Sequence, residues 1–151
     1  MMLKTFQISL ITVLLTGLTC TAGNVHSDEV ICGKWISEDK DLIIQVSKDN
    51  LEYHAKIVWF DDRDESMQLD DHFDRLNPDP TLRNRKIVGM EVLEKLQYAP
   101  NTNTWENGVI YDAKHGRLWN SCAYINSKGE LKVKGYWHFK FIGKTLTFKR
   151  V

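Results

Sequence analysis

Leu51-Glu52-Tyr53-His54-Ala55-Lys56-Ile57-Val58-Trp59-Phe60 is the stretch that decides the fold. Leu51, Tyr53, Ala55, Ile57 and Trp59 share one face of an extended chain, and Glu52, His54 and Lys56 share the other, because successive side chains of a strand point to opposite sides. An uninterrupted period of two, apolar against charged, predicts an antiparallel strand with one wet face. Residues 131–139 repeat it, with Leu131, Val133, Gly135, Trp137 and Phe139 opposed to Lys132, Lys134, Tyr136 and His138.

Outward from these two segments the chain is punctuated by turn signals: Lys48-Asp49-Asn50, Asn101-Thr102-Asn103, Lys114-His115-Gly116, Ser127-Lys128-Gly129 and Ile142-Gly143-Lys144. They fall at intervals of about 8 to 12 residues, the spacing of a meander of hairpins. Eight strands are predicted, over 30–37, 41–48, 51–60, 88–98, 104–112, 117–125, 130–139 and 145–151. Closing the meander removes its exposed edges, so the expected fold is all-β, an antiparallel up-and-down barrel. Met90, Leu93 and Glu94 also suit a helical turn. In 117–125, Leu118, Cys122 and Tyr124 compete with Trp119, Ala123 and Ile125 for the inside. The segment from Asp61 to Arg85 breaks the pattern. It is acidic at first, then carries Asn77-Pro78-Asp79-Pro80 with Arg83 and Arg85, and its prolines forbid a central strand.

The 151 residues provide for one domain once a targeting segment is set aside. Lys4 and the uncharged apolar run from Phe6 to Leu18 form a signal peptide, with cleavage after Ala22 and Cys20 and Ala22 at the positions read by the peptidase. That leaves 23–151 as an exported domain, periplasmic or extracellular. Lipid anchoring through Cys20 is the alternative, although Gly17-Leu18-Thr19 fits lipoprotein processing poorly. Twenty basic residues cancel twenty acidic ones, so no global field draws the chain to nucleic acid. A monomer is expected. Export leaves Cys32 and Cys122 in a compartment where disulfides persist. A bridge between them would stabilise the fold by roughly 3 to 5 kcal/mol, and two separate thiols are the other reading.

Gly33-Lys34-Trp35, with Arg150 near the end of the chain on the face of Leu146 and Phe148, resembles the lipocalin and fatty-acid-binding superfamily. There a Gly-x-Trp on the first strand packs beneath an arginine of the closing strand, which implies structural roles for Gly33, Trp35 and Arg150: a cation over an aromatic face, sealing one barrel end. The ordered run Lys56-Ile57-Val58-Trp59, Asn77 to Arg85, Gly89, Trp105, Gly108, Ile110-Tyr111-Asp112, Gly116, Gly135-Tyr136 and Gly143-Lys144-Thr145 looks like the bacterial domain-of-unknown-function family twenty-one forty-seven. The resemblance covers nearly all of the mature chain. It implies an exported lipocalin-like domain and no activity, since that family has none established.

Two features carry candidate chemistry. Asp79 can bond backbone amides or a guanidinium, and Arg83 and Arg85 either present forked donors to a carboxylate or phosphate or, with Asp79, lock the loop to the barrel. The aromatics Trp35, Tyr53, Trp59, Tyr111, Trp119, Trp137, Phe139 and Phe148 either line a cavity for an apolar ligand or fill the interior. Tyr53, Tyr111, Trp119 and Trp137, with Asp79, Arg83 and Arg85, form the candidate ligand-binding set. No metal or cofactor is expected: Asp62-x-Asp64-x-Ser66 begins like a calcium loop, but Met67 and Phe73 stand where glycine and a bidentate carboxylate belong. His72 lies among Asp70, Asp71 and Asp74 as a solvated cluster. Nucleophile elbows, zinc-protease motifs and phosphate loops are absent from the sequence, and Cys122 suits a core or disulfide role better than catalysis. The expectation is a non-enzymatic exported protein, a carrier of a small apolar or amphipathic molecule. The alternative is an envelope interaction module with a filled barrel.

Overall fold

The computed structural model describes residues 28–61 and 72–151. The expected signal peptide with Cys20 and the segment Asp62 to Ser66 lie outside the described residues. Eight strands follow one another around a closed barrel: β1 (Gly33–Ser37), β2 (Leu42–Asp49), β3 (Glu52–Phe60), β4 (Glu91–Ala99), β5 (Thr104–Asp112), β6 (Arg117–Ile125), β7 (Leu131–Tyr136) and β8 (Gly143–Arg150). Each pairs antiparallel with its neighbour, and β8 returns to β1 with Trp35 opposite Arg150 and Ser37 opposite Phe148. This is the up-and-down barrel that the alternation predicts. Register shifts between β3 and β4 and between β5 and β6 leave extra residues in β4 and β5, bulges that sharpen strand bending, as closure of so small a sheet requires. Among the described residues no helix is long and apolar enough to cross a membrane.

The period of two sorts most of the faces correctly. Tyr53, Ala55 and Ile57 are buried, as are Leu131 and Val133. In β6, Ser121 and Ala123 are buried while Leu118 and Tyr124 are exposed, so the Trp119–Ala123–Ile125 face is the inner one. Residues 89–96 form no helix: Gly89 and Met90 bond the backbone of Ile57, and β4 begins at Glu91.

The seventh strand is shorter than 130–139. Its ladder to β8 ends where Tyr136 meets Gly143, and 137–142 becomes the connection, closed by Ile142 N–H donating to Phe139 O at 3.0 Å. Trp137 and Phe139 are consequently exposed, whereas Tyr136, expected on the wet face, is buried on the outer wall beside Cys122, Glu106 and Lys140. Alternation cannot distinguish an apolar residue that faces the core from one that leaves the ladder.

The barrel has two unlike ends. At the end holding both termini of the ladder, Trp35, Tyr53, Trp105, Leu96 and Leu131 are packed solid, each no more than 1 % exposed. Tyr53 and Trp105 meet edge to face with centroids 6.1 Å apart. Beneath them the short 3-10 helix Glu29–Ile31 plugs the base: Trp35 Nε1 donates to Ile31 O at 2.8 Å, and the Arg150 guanidinium lies 4.2 Å over the Trp35 ring. Gly33 sits at φ +129°, where a Cβ would come within 2.5 Å of Arg150 Nη1. The resemblance to Gly-x-Trp and its arginine is therefore a physical contact, and bulk at residue 33 would displace the cation.

The connections β1–β2, β3–β4, β5–β6 and β7–β8 all emerge at the other end. There the interior side chains are smaller, with Gly135 and Ala113 among them, and space remains.

Candidate functional site

The open half of the barrel encloses a cavity of about 770 Å³, within the range of small-molecule sites. Its floor is Phe148, Val133, Leu93 and Ile44, all buried residues of four different strands. Ile57, Val92, Ile110 and Leu146 form the walls. Trp119 and Trp137 stand at the mouth, edge to face with centroids 5.6 Å apart, and Ile142 completes the apolar rim. Among the described residues the polar side chains of the lining lie near the opening: Asp112, Lys114 and His115 from the β5–β6 hairpin and Lys144 from β8, with Tyr111 just inside. His115 Nδ1 and Asp112 Oδ2 pair at 2.7 Å. Lys114 and Lys144 have no carboxylate partner among the described residues.

Of the candidate binding set, Tyr111, Trp119 and Trp137 line this cavity. Tyr53 does not. It lies in the packed end, where its hydroxyl donates to Asp28 Oδ2 at 2.9 Å beside Lys48 Nζ at 2.6 Å. Burial, and then the bond to Asp28, push its pKa up to about 12.

Asp79, Arg83 and Arg85 lie away from the cavity and serve the loop. Asp79 Oδ1 accepts from Thr81 N–H at 2.9 Å and from its hydroxyl at 2.8 Å, capping the 3-10 turn Pro80–Leu82. Arg83 Nε donates to Asn77 O at 2.7 Å. Arg85 Nε donates to Asp74 Oδ2 at 2.9 Å, and its guanidinium lies 5.2 Å over the Tyr111 ring. Of the two readings of these residues, the geometry matches the lock: the Nε of Arg83 meets a loop carbonyl and that of Arg85 a buried carboxylate.

That carboxylate, Asp74, is the residue the sequence concealed. It is 1 % exposed and also accepts from Asn77 Nδ2 at 2.6 Å and from the Tyr111 hydroxyl at 2.6 Å. Burial works to raise its pKa, but the bonds from Tyr111, Asn77 and Arg85 outweigh it and hold the carboxyl below the ordinary aspartate value. Tyr111 is pushed up to about 12, first by burial and then by this bond, so its phenol remains a donor. The connection between β3 and β4 is thereby stapled to a side chain of the cavity wall. Nothing in the sequence separates Asp74 from its acidic neighbours. Gly116 offers a second tie, since at φ +62° it passes so close to Leu76 that a Cβ would fall 1.9 Å from the Leu76 carbonyl.

Cys32 and Cys122 are both free thiols, which corrects the bridged reading. Cys32 packs against the core at the closed end, whereas Cys122 points outward from β6 opposite Lys134. Burial raises the pKa of each thiol, which works against the reactive thiolate form. His72 is packed edge to face on Phe60 with centroids 5.3 Å apart, and Asp70 and Asp71, expected beside it, lie outside the described residues. Among the described residues no three His, Cys, Asp or Glu side chains are grouped to hold a metal ion.

Among solved structures, the chain is similar to protein HP1028 from Helicobacter pylori, described as belonging to the lipocalin family. The two are 26 % identical, with a TM-score of 0.67 over 80 % of this chain and 82 % of that one. No curated protein matches. The barrel, its plugged end and its open mouth are those of a lipocalin-like domain. The family model of the uncharacterized proteins conserved in bacteria known as DUF2147 matches residues 33–150, from the glycine beneath Arg150 to Arg150 itself, and the chain belongs to that family.

Proposed function

We propose that the protein is an exported carrier that holds a small amphipathic molecule in the open half of its barrel, apolar part inward and polar head at the rim. The observation that carries this reading is the cavity itself: about 770 Å³ with an apolar floor and walls, which an interaction module with a filled barrel would lack. The solid packing of the opposite end supports it, because the space is confined to one half and reached from one side. Lys114 and Lys144, cations without carboxylate partners at the mouth, favour an acidic head over a neutral one. Among the described residues the lining contains no serine, threonine or cysteine, and its one histidine is paired with Asp112, so a carrier suits it better than nucleophilic catalysis. Lys4 and the run from Phe6 to Leu18 support export.

Native mass spectrometry of the protein from its own envelope, before and after gentle organic extraction, tests the carrier. A stoichiometric adduct lost on extraction is expected, and a bare mass in every preparation would sink the reading. Titration of the extracted protein with a medium-chain fatty acid, followed by Trp119 and Trp137 emission, tests the head. Reversing both rim charges in Lys114→Glu/Lys144→Glu is expected to weaken binding roughly tenfold. Unchanged affinity would remove the acidic head from the proposal.

A further inference from the structure

The segment between β7 and β8 carries more exposed apolar surface than a solvated loop has reason to. Trp137, Phe139, Phe141 and Ile142 are 59 to 79 % exposed within six residues. Phe139 and Phe141 stack on each other with centroids 5.4 Å apart, and Trp137 leans on Trp119. Leu118 extends the same surface onto the outside of β6, where it shares a shallow hollow with Trp119, Trp137 and Arg117. A contiguous aromatic patch of this kind marks a surface that is covered by something in use.

Its surroundings say by what. Lys114 and Arg117 of the neighbouring hairpin and Lys144 at the start of β8 stand around it, none with a carboxylate partner among the described residues. Lys140, within the loop, is paired with Glu106. The acidic turn Glu38 to Asp41 emerges one strand further round, beyond β8. Tryptophan and phenylalanine flanked by lysine and arginine suit a lipid headgroup boundary, where rings enter the interface and cations meet phosphates. The patch is also continuous with the cavity, because Trp137 and Ile142 belong to both. A bilayer seated on it would let an apolar molecule enter the barrel without crossing water.

We infer that the β7–β8 loop, with Phe139 and Phe141 at its tip and Lys114, Arg117 and Lys144 around it, docks the open end of the barrel on an anionic lipid surface. The docking goes beyond the carrier reading and is read without any cargo, so either can fail alone.

The protein is mixed with vesicles of phosphatidylcholine alone and with vesicles of equal parts phosphatidylcholine and phosphatidylglycerol, and bound protein is measured by flotation. Binding to the anionic vesicles at least tenfold above the neutral ones is expected, falling with added salt. Phe139→Ser/Phe141→Ser, at side chains outside the cavity lining, is expected to lower it tenfold while leaving fatty-acid binding in solution and the unfolding midpoint unchanged. Absence of binding to either vesicle, or equal binding by the double variant, overturns the inference. A concentration-dependent dimer that the double variant dissolves would assign the patch to a second copy. A photo-crosslinker at position 141 that captures a discrete protein in preference to lipid would assign it to a protein partner. Either result overturns the bilayer as occupant.

Discussion

Trp35→Ala is expected to lower the unfolding free energy by roughly 3 to 5 kcal/mol, the range for truncating a fully buried large aromatic. Three losses coincide. The indole is 1 % exposed and fills the closed end against β8, its Nε1 holds the carbonyl of Ile31, and its face carries the Arg150 guanidinium. Arg150 is in turn tied to the segment below, with Nη1 donating to Cys32 O at 2.9 Å and Nη2 to Val30 O. Without the ring, the 3-10 plug and the closing strand each lose a shared anchor. Arg150→Ala is expected to cost less, about 1 to 2 kcal/mol, because the guanidinium is exposed and a cation over an aromatic face contributes modestly there. Urea denaturation of the two variants beside the parent measures both. A loss below about 1 kcal/mol for Trp35→Ala would falsify the anchoring role.

That anchor was legible because its parts are rare residues at fixed ends of the chain. Gly33 needs a backbone angle that side-chain-bearing residues avoid, tryptophan is seldom so fully buried, and Arg150 faces it across the pair that closes the barrel. The strands were legible for a similar reason, since one buried face and one wet face write a period of two into the chain. The ends of the cavity were not. Trp137 and Phe139 continue the alternation of β7 yet leave its ladder, and only the partner strand, starting at Gly143, decides where pairing stops. Tyr53 and Tyr111 have similar strand settings in sequence, but one falls in the packed half and the other in the open half, a difference set by position along the barrel axis. For Asp79, Arg83 and Arg85 the sequence offers a ligand site or a lock, and their hydrogen bonds match the lock. Its central acceptor was missed because the contact from Asp74 to Tyr111 spans 37 residues and leaves no local pattern.

The same contact gives the second large effect. Asp74→Ala is expected to cost roughly 3 kcal/mol, since it strands a buried phenol and a buried amide and removes the carboxylate that Arg85 meets. Arg85→Ala should cost less, about 1 kcal/mol, because its guanidinium is about a third exposed and Tyr111 and Asn77 still satisfy the carboxylate. The effect is pH-dependent with a defined sign. The native pKa of Asp74 is depressed, so its stabilisation is fully present above the unfolded value of about 3.9 and is lost as pH falls through the native value. The gap between the parent and Asp74→Ala should therefore be flat from neutral pH down to about pH 5 and should narrow below pH 4. Because Tyr111 lines the cavity, fatty-acid affinity should fall with the staple at neutral pH, even where the variant remains folded. A variant that keeps full affinity and a pH-independent gap would mean that the β3–β4 connection is held elsewhere. In that case the wall at Tyr111 would be rigid without Asp74.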